Sequence, residues 1–406
     1  MTYWDRKNKW RFGLQIFLAM VLLSMPSATY GQIFKIAHPD TTTGNGFGTS
    51  VDIDGNRALI GASAEDVCGI NSGAAYIYER DDEDESWKKV TRLVPSDCVE
   101  GDFFGRSLSI HGDRAVVAAS GTFPNRNASN AAYIFERNSE TGEWKEVAKI
   151  KQYQEVEEGS FAASVSLDGD RLLVTTSGDP IRQEYNGAAY IYERAEDNRW
   201  VKKARLTGSG RLADGVFGGA GALDGDYAVV TASKYYDEEP GSLFIFERNA
   251  ETDEWQKVKH IEGIDDIFIS VDIEANYVVA GESRGGSKRS GVATLYERQE
   301  DGDWILKQTL KPRVPYKDGA FGSTVSFDGE NALVAGYDEQ LGKNFNIDRV
   351  VYEFKRKSDS EEWTQRRIFD VGTVAFGYSI AASGGYAVIG EVSDQEPGAA
   401  YVVEIH

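Results

Sequence analysis

The chain has 406 residues, 41% of them hydrophobic and 12% aromatic, enough apolar side chain to fill a large core and to exclude a mostly disordered protein. Its formal charge of −21 repels phosphate backbones and anionic lipid heads, which argues against nucleic acid and against direct docking on an acidic membrane. A well-solvated extracellular domain is the plain reading of that charge.

Residues 1–31 stand apart. Arg6, Lys7, Lys9 and Arg11 precede an apolar run from Leu14 to Leu23, then Pro26 and the small-residue stretch Ser27 to Gly31. That is the layout of a secretory signal peptide. The run is short for a bilayer span, so cleavage after Gly31 is expected, with an uncleaved anchor as the alternative. Either places residues 32–406 outside the cytoplasm, secreted or on the cell surface. No later segment reads as transmembrane.

From there the chain repeats itself about every 55 residues. A Phe-Gly doublet opens a short alternating strand, an Asp-Gly turn and an apolar strand, first at Phe47-Gly48 and again at Phe104, Phe161-Ala162, Phe217, Phe321 and Phe376, with a worn copy at Ile267-Phe268. A second phrase, Gly73-Ala-Ala-Tyr-Ile-Tyr-Glu-Arg80, returns from Ala131, Gly187, Gly241, Gly291 and Gly398, and more loosely at Arg349 to Arg356. A third begins with Trp87, Trp144, Trp200, Trp255, Trp304 or Trp363 and ends in an apolar residue six positions on. Each repeat therefore predicts four short strands bounded by Gly, Asn and Asp turns, and no segment sustains a helical period. Units of this kind stack as blades, and the fold class is all-β, a seven-bladed β-propeller of four-stranded blades. The Asp-Gly pairs at Asp54, Asp168, Asp224 and Asp328 fit two-residue type I′ hairpins, with positive φ at both central positions.

The seventh copy ends at Tyr401 to Ile405 without a fourth strand, and the missing strand lies at Gln32 to Ala37. Ile36 precedes Phe47 by the same interval at which Leu93 precedes Phe104. The two ends of the chain thus share a blade, closing the ring with no free sheet edge.

These phrases resemble the FG-GAP repeat, the propeller unit of integrin α chains and of many secreted bacterial proteins, over residues 32–406. The resemblance implies a seven-bladed propeller and, most often, extracellular recognition or adhesion, but no particular ligand; the chain is read as a noncatalytic binding module for a protein or glycan, a monomeric propeller. Many members carry calcium loops in the first hairpin. Here that turn has shrunk to Asp-Gly; Asp52, Asp54 and Asn56 are too few oxygens in too tight a hairpin, so no metal and no other cofactor is expected. A polysaccharide-active propeller enzyme, lyase or hydrolase, is the alternative.

Cys68 and Cys98 fall on neighbouring loops of one face and favour a disulfide in an exported chain. The histidines at 38, 111, 260 and 406 lack metal-ligand spacing, and no nucleophile elbow or phosphate loop is present. No catalytic residues are assigned. Asn127 to Ser129 is a glycosylation sequon. Ligand binding is expected on the face of the loops between second and third strands and between blades, because those loops vary while the strands repeat. The candidates are Tyr235, Tyr236 and Asp237 in the fourth blade, Arg284, Lys288 and Arg289 in the fifth, and Tyr185 in the third, tyrosines supplying rigid contact area. The charges can equally pair with one another across adjacent loops.

Overall fold

The computed structural model describes residues 33–40, 43–121, 129–151, 161–177, 187–208, 216–233, 241–263, 269–338, 348–357, 360–393 and 395–405. Within these, the strands form seven antiparallel four-stranded sheets, each paired in the order of the chain. The exception is the sheet in which Ile33–Ala37 pairs with Ala399–Glu404, Ile33 opposite Val403 and Ala37 opposite Ala399. N- and C-terminal segments close the ring in one blade. No helix among the described residues is long and apolar enough to cross a membrane.

The second strand of each blade is an unbroken apolar run because both of its faces are covered. In the first blade Ala58 and Ile60 pack with Ile36 and Val402 of the seventh, whereas Leu59 packs with Phe104 and Val117 of the second. One core cluster thus fills each junction, and no blade could bury both faces alone.

The Phe-Gly doublet is the lock of that junction. Phe47, Phe104, Phe161, Phe217, Phe321 and Phe376 are all at most 1% exposed, which places the ring at the centre of its cluster. The following glycine turns the chain with positive φ, +92° at Gly105, where a Cβ would stand 2.4 Å from the Ala74 carbonyl oxygen. The same Gly105 carbonyl lies where a Cβ on Gly61 would come within 2.1 Å. Two backbones meet there without side chains between them. Gly61→Ala is therefore expected to cost about 1–3 kcal/mol of stability by prising the first and second blades apart, read by denaturant melts. An unchanged midpoint would mean that the junction yields.

The recurring Glu-Arg at the end of the third strand belongs to a second set of junction contacts. Arg57 Nε meets Glu79 of its own blade at 2.7 Å, and its Nη1 reaches Asp113 of the next at 3.1 Å; Arg114 and Arg171 repeat the pattern with Glu136 and Asp170, and with Glu193 and Asp226.

Two expectations need correction. In the first hairpins the turn residues are Gly55 and Asn56, Asp54 being paired with Arg57, and only the glycine has positive φ. The same holds at Gly112, Gly169 and Gly225, which is the glycine-first requirement of a type II′ turn; only Gly384-Gly385 has both positions positive, as type I′ demands. Nor does ring closure abolish free edges. It pairs the C-terminal strand, but the sheets still end on outer fourth strands, and these carry Lys88, Lys89, Lys202, Lys203 and Lys257, charges that discourage pairing with another chain.

Candidate functional site

The innermost strands of the seven blades surround a channel of about 530 Å³. Alternate residues of each inner strand face it, so the Phe-Gly phrase contributes three successive layers. Ser50, Ser107, Ser164, Ser270, Thr324 and Ser379 lie nearest the loop face. Asp52, Ser109, Ser166, Asp272 and Ser326 form the middle layer. Asp54, His111, Asp168, Asp224, Glu274 and Ser383 stand in the last layer, at the end where the first hairpins turn.

These polar groups complete the junctions. An innermost strand has no partner on its channel side, and its N–H groups must find acceptors. They find them on the preceding blade: Ile110 N–H donates to Asp52 Oδ2 (2.7 Å), Leu167 N–H to Ser109 Oγ (3.1 Å), Leu223 N–H to Ser166 Oγ (3.0 Å) and Phe327 N–H to Asp272 Oδ2 (2.8 Å). At the mouth Gly225 N–H donates to Asp168 and Ala275 N–H to Asp224. Gly112 N–H likewise donates to Asp54 Oδ2 at 2.5 Å, so Asp52 and Asp54 are clips between blades and not turn residues alone.

Burial governs the electrostatics of the channel. Asp52 and Asp272 are pushed up to about 6 and about 7 by desolvation, against the opposing pull of two backbone N–H donors on each; the charge of Asp52 raises Asp272 further. Asp224 and Glu274 are also raised, first by burial and then by the neighbouring carboxylates, while His111 stands 3.4 Å from Asp168.

The sign of the pH dependence follows. Between the unfolded carboxylate value near 4 and the folded values near 6 and 7 the native state holds more protons than the unfolded chain, so stability falls as pH rises through that window and levels off above it. The Asp52→Asn, Asp272→Asn double variant is expected to flatten this slope in urea melts from about pH 4 to about pH 7. A slope identical to that of the parent would show that the two groups are ionised throughout.

On the loop face, Cys68 and Cys98 form a disulfide with Cα atoms 6.0 Å apart, tying the loop after the second strand of the first blade to the linker into the second blade. The strands themselves meet there in a parallel bridge between Gly73 and Phe104. Of the loop residues singled out from the sequence, Tyr185, Tyr235, Tyr236 and Asp237 lie outside the described residues, as do Asn127 of the sequon and the worn Ile267-Phe268 doublet. Arg284, Lys288 and Arg289 share one loop. There Lys288 and Arg289 both take positive φ, and Arg289 pairs at 3.5 Å with Asp318 of the linker into the sixth blade. That charge is answered across an adjacent loop. Among the described residues no group of three or more His, Cys, Asp or Glu is placed to hold a metal ion.

Residues 30–78 and 87–135 each match the family model of the FG-GAP repeat. The chain carries FG-GAP repeats in a seven-bladed propeller. The two matches cover the first two repeats, and the other blades carry the same phrases in the same register. The FG-GAP signature has a physical reading here: its Phe and Gly fill and seal a junction, and the Gly of the second strand admits the neighbouring backbone. No curated protein sequence matches the chain. Among solved structures, Sqt1 of Saccharomyces cerevisiae is similar with 11% identity and a TM-score of 0.49, over 93% of this chain and 89% of that one.

Proposed function

We propose that this protein is an exported, noncatalytic binding module that recognises a protein or glycan through the loop face of its propeller. The observation that carries the reading is the division of labour between channel and loops. The middle-layer carboxylates, where a paired acid and base would be sought, each accept two backbone N–H groups and hold neighbouring blades together. Acid–base catalysis needs carboxylates free to exchange a proton with a substrate. The loops between second and third strands differ from blade to blade, and a disulfide fixes the first of them to a rigid scaffold, the usual setting for recognition. The basic and apolar start of the chain supports export, and a disulfide suits an oxidising compartment.

Purified protein from residue 32 onward, probed on glycan and protein arrays and incubated with a panel of soluble polysaccharides, tests the reading. Saturable binding without release of product is the expected result. Depolymerisation of any panel member would favour the polysaccharide-active alternative and overturn this one.

A further inference from the structure

The third-strand phrase opens on Gly73, Gly187, Gly241, Gly291 and Gly398 in five blades and on Asn130 in another, but on Arg349 in the sixth. The small residue has a reason: at Gly73 a Cβ would lie 2.1 Å from the Phe104 carbonyl oxygen of the next blade. In the sixth blade the chain departs from that close approach. Arg349 N–H donates to the Thr373 carbonyl, and the guanidinium lies between the rings of Tyr337 and Tyr378, 6.0 Å from each centroid.

What surrounds that guanidinium leaves it underused. Nη2 donates to Ser323 Oγ at 2.8 Å, yet Nε is buried without a partner, and so is the neighbouring Thr373 Oγ1. Among the described residues no carboxylate pairs with Arg349, in a chain with 65 acidic residues against 44 basic ones. Desolvation lowers its hold on the proton, opposed only by the two tyrosines. A desolvated charge without a counter-ion is costly, and a structural arginine acquires one. Tyr378 is 48% exposed and lines the channel beside Ser379, so the place opens toward solvent at the loop-face mouth. Arg106 of the second blade lines the same channel.

We propose that this junction of the sixth and seventh blades binds a carboxylate-bearing saccharide, a uronate residue, with Arg349 as its anchor. The guanidinium fork matches a carboxylate through its terminal nitrogens, and the ligand would supply the counter-ion that Arg349 lacks among the described residues. The half-exposed ring of Tyr378 gives a flat amphipathic face for the sugar, which an acidic peptide side chain would not need. The proposal rests on the binding-module reading and names the ligand class for its loop face.

Calorimetric titration of the propeller with a short oligogalacturonate, its methyl ester and an oligoglutamate tests it. Oligogalacturonate is expected to bind, the ester and the peptide not. Arg349→Gln is expected to weaken binding about tenfold or more, since it removes a charge-assisted hydrogen bond to the ligand carboxylate. Arg349→Lys, which keeps the charge and loses the fork, is expected to recover only part, and Tyr378→Ala to weaken binding as well. Without ligand, Arg349→Gln is expected to melt no lower than the parent, because an uncompensated charge is removed; a structural arginine would show the opposite. Absence of oligogalacturonate binding, equal binding of ester or peptide, or a Gln variant that binds unchanged would each overturn the assignment. An array ligand indifferent to Arg349→Gln would overturn it while leaving the binding module intact, whereas cleavage of the oligogalacturonate would overturn the module.

Discussion

Removing residues 32–37 is expected to destabilise the whole propeller and to make it aggregate, with Ile36→Ala as the measured dose of the same injury. The strand Ile33–Ala37 is the outermost of the seventh blade, paired with Ala399–Glu404 over five residues. Its two faces serve two junctions. Ile36, 3% exposed, and Phe34 pack with Phe47, Val51 and Trp87 of the first blade, while Ile33 packs with Phe369 and Ile405 toward the sixth. Truncating Ile36 leaves a cavity that the surrounding strands cannot close, a loss of about 2–4 kcal/mol. Deleting the strand loses more, since Ala399–Glu404 then presents unpaired backbone to solvent and the first blade loses part of its cover. Equilibrium denaturation of both variants, with light scattering on the deletion, decides it. A deletion variant with the parent's melting temperature would mean that the ring is held shut by its inner strands alone.

This closure was legible in the sequence because it depends only on spacing and apolar pattern, and Ile36 stands in register with Leu93, Ile150 and Leu206. The blades were legible for the same reason: Phe47 or Tyr76 recurs at a fixed interval wherever a junction needs filling. The channel was not. The acceptors at Asp52, Ser109, Ser166 and Asp272 serve backbone N–H groups more than fifty residues later, and a backbone donor has no sequence signature. Read locally, Asp52 and Asp54 look like turn residues beside Gly55. The alternation Ser50, Asp52, Asp54 against Ser107, Ser109, His111 held the signal, a polar face repeated on every innermost strand, but it carried no hint that the face closes on itself. Arg349 was visible as the loosest copy of the third-strand phrase. Its meaning depends on Gly73 and its neighbours meeting the next blade's backbone, which only the packed junction reveals. The loop tyrosines rest on variability alone, and the described part of that neighbourhood, Arg289 with Asp318, is engaged in an ion pair.

Breaking the Cys68–Cys98 bond is expected to cost about 3–4 kcal/mol, the chain-entropy value for a closed loop of 30 residues. The loop so closed is unusual in what it contains. It runs from the end of the first blade's second strand, through its third and fourth strands, into the linker that delivers Phe104 to the next junction. In the unfolded chain the bond holds those two strands within reach of each other, so its removal enlarges the unfolded ensemble. In the folded state the surroundings are already tied without it: Ser72 Oγ accepts the N–H groups of Val67 and Cys68, Gly101 N–H donates to the Ile70 carbonyl, and Phe104 N–H to that of Ser72. The Cys68→Ser, Cys98→Ser variant is therefore expected to keep the native fold and its loop-face binding, while its denaturation midpoint falls and its slope with denaturant rises, because a less constrained chain exposes more surface on unfolding. Peptide mapping of unreduced protein, followed by urea melts with and without reductant, provides the check. Equal midpoints for oxidised and reduced protein would place the stability of the first junction entirely in Phe104, Gly105 and their neighbours.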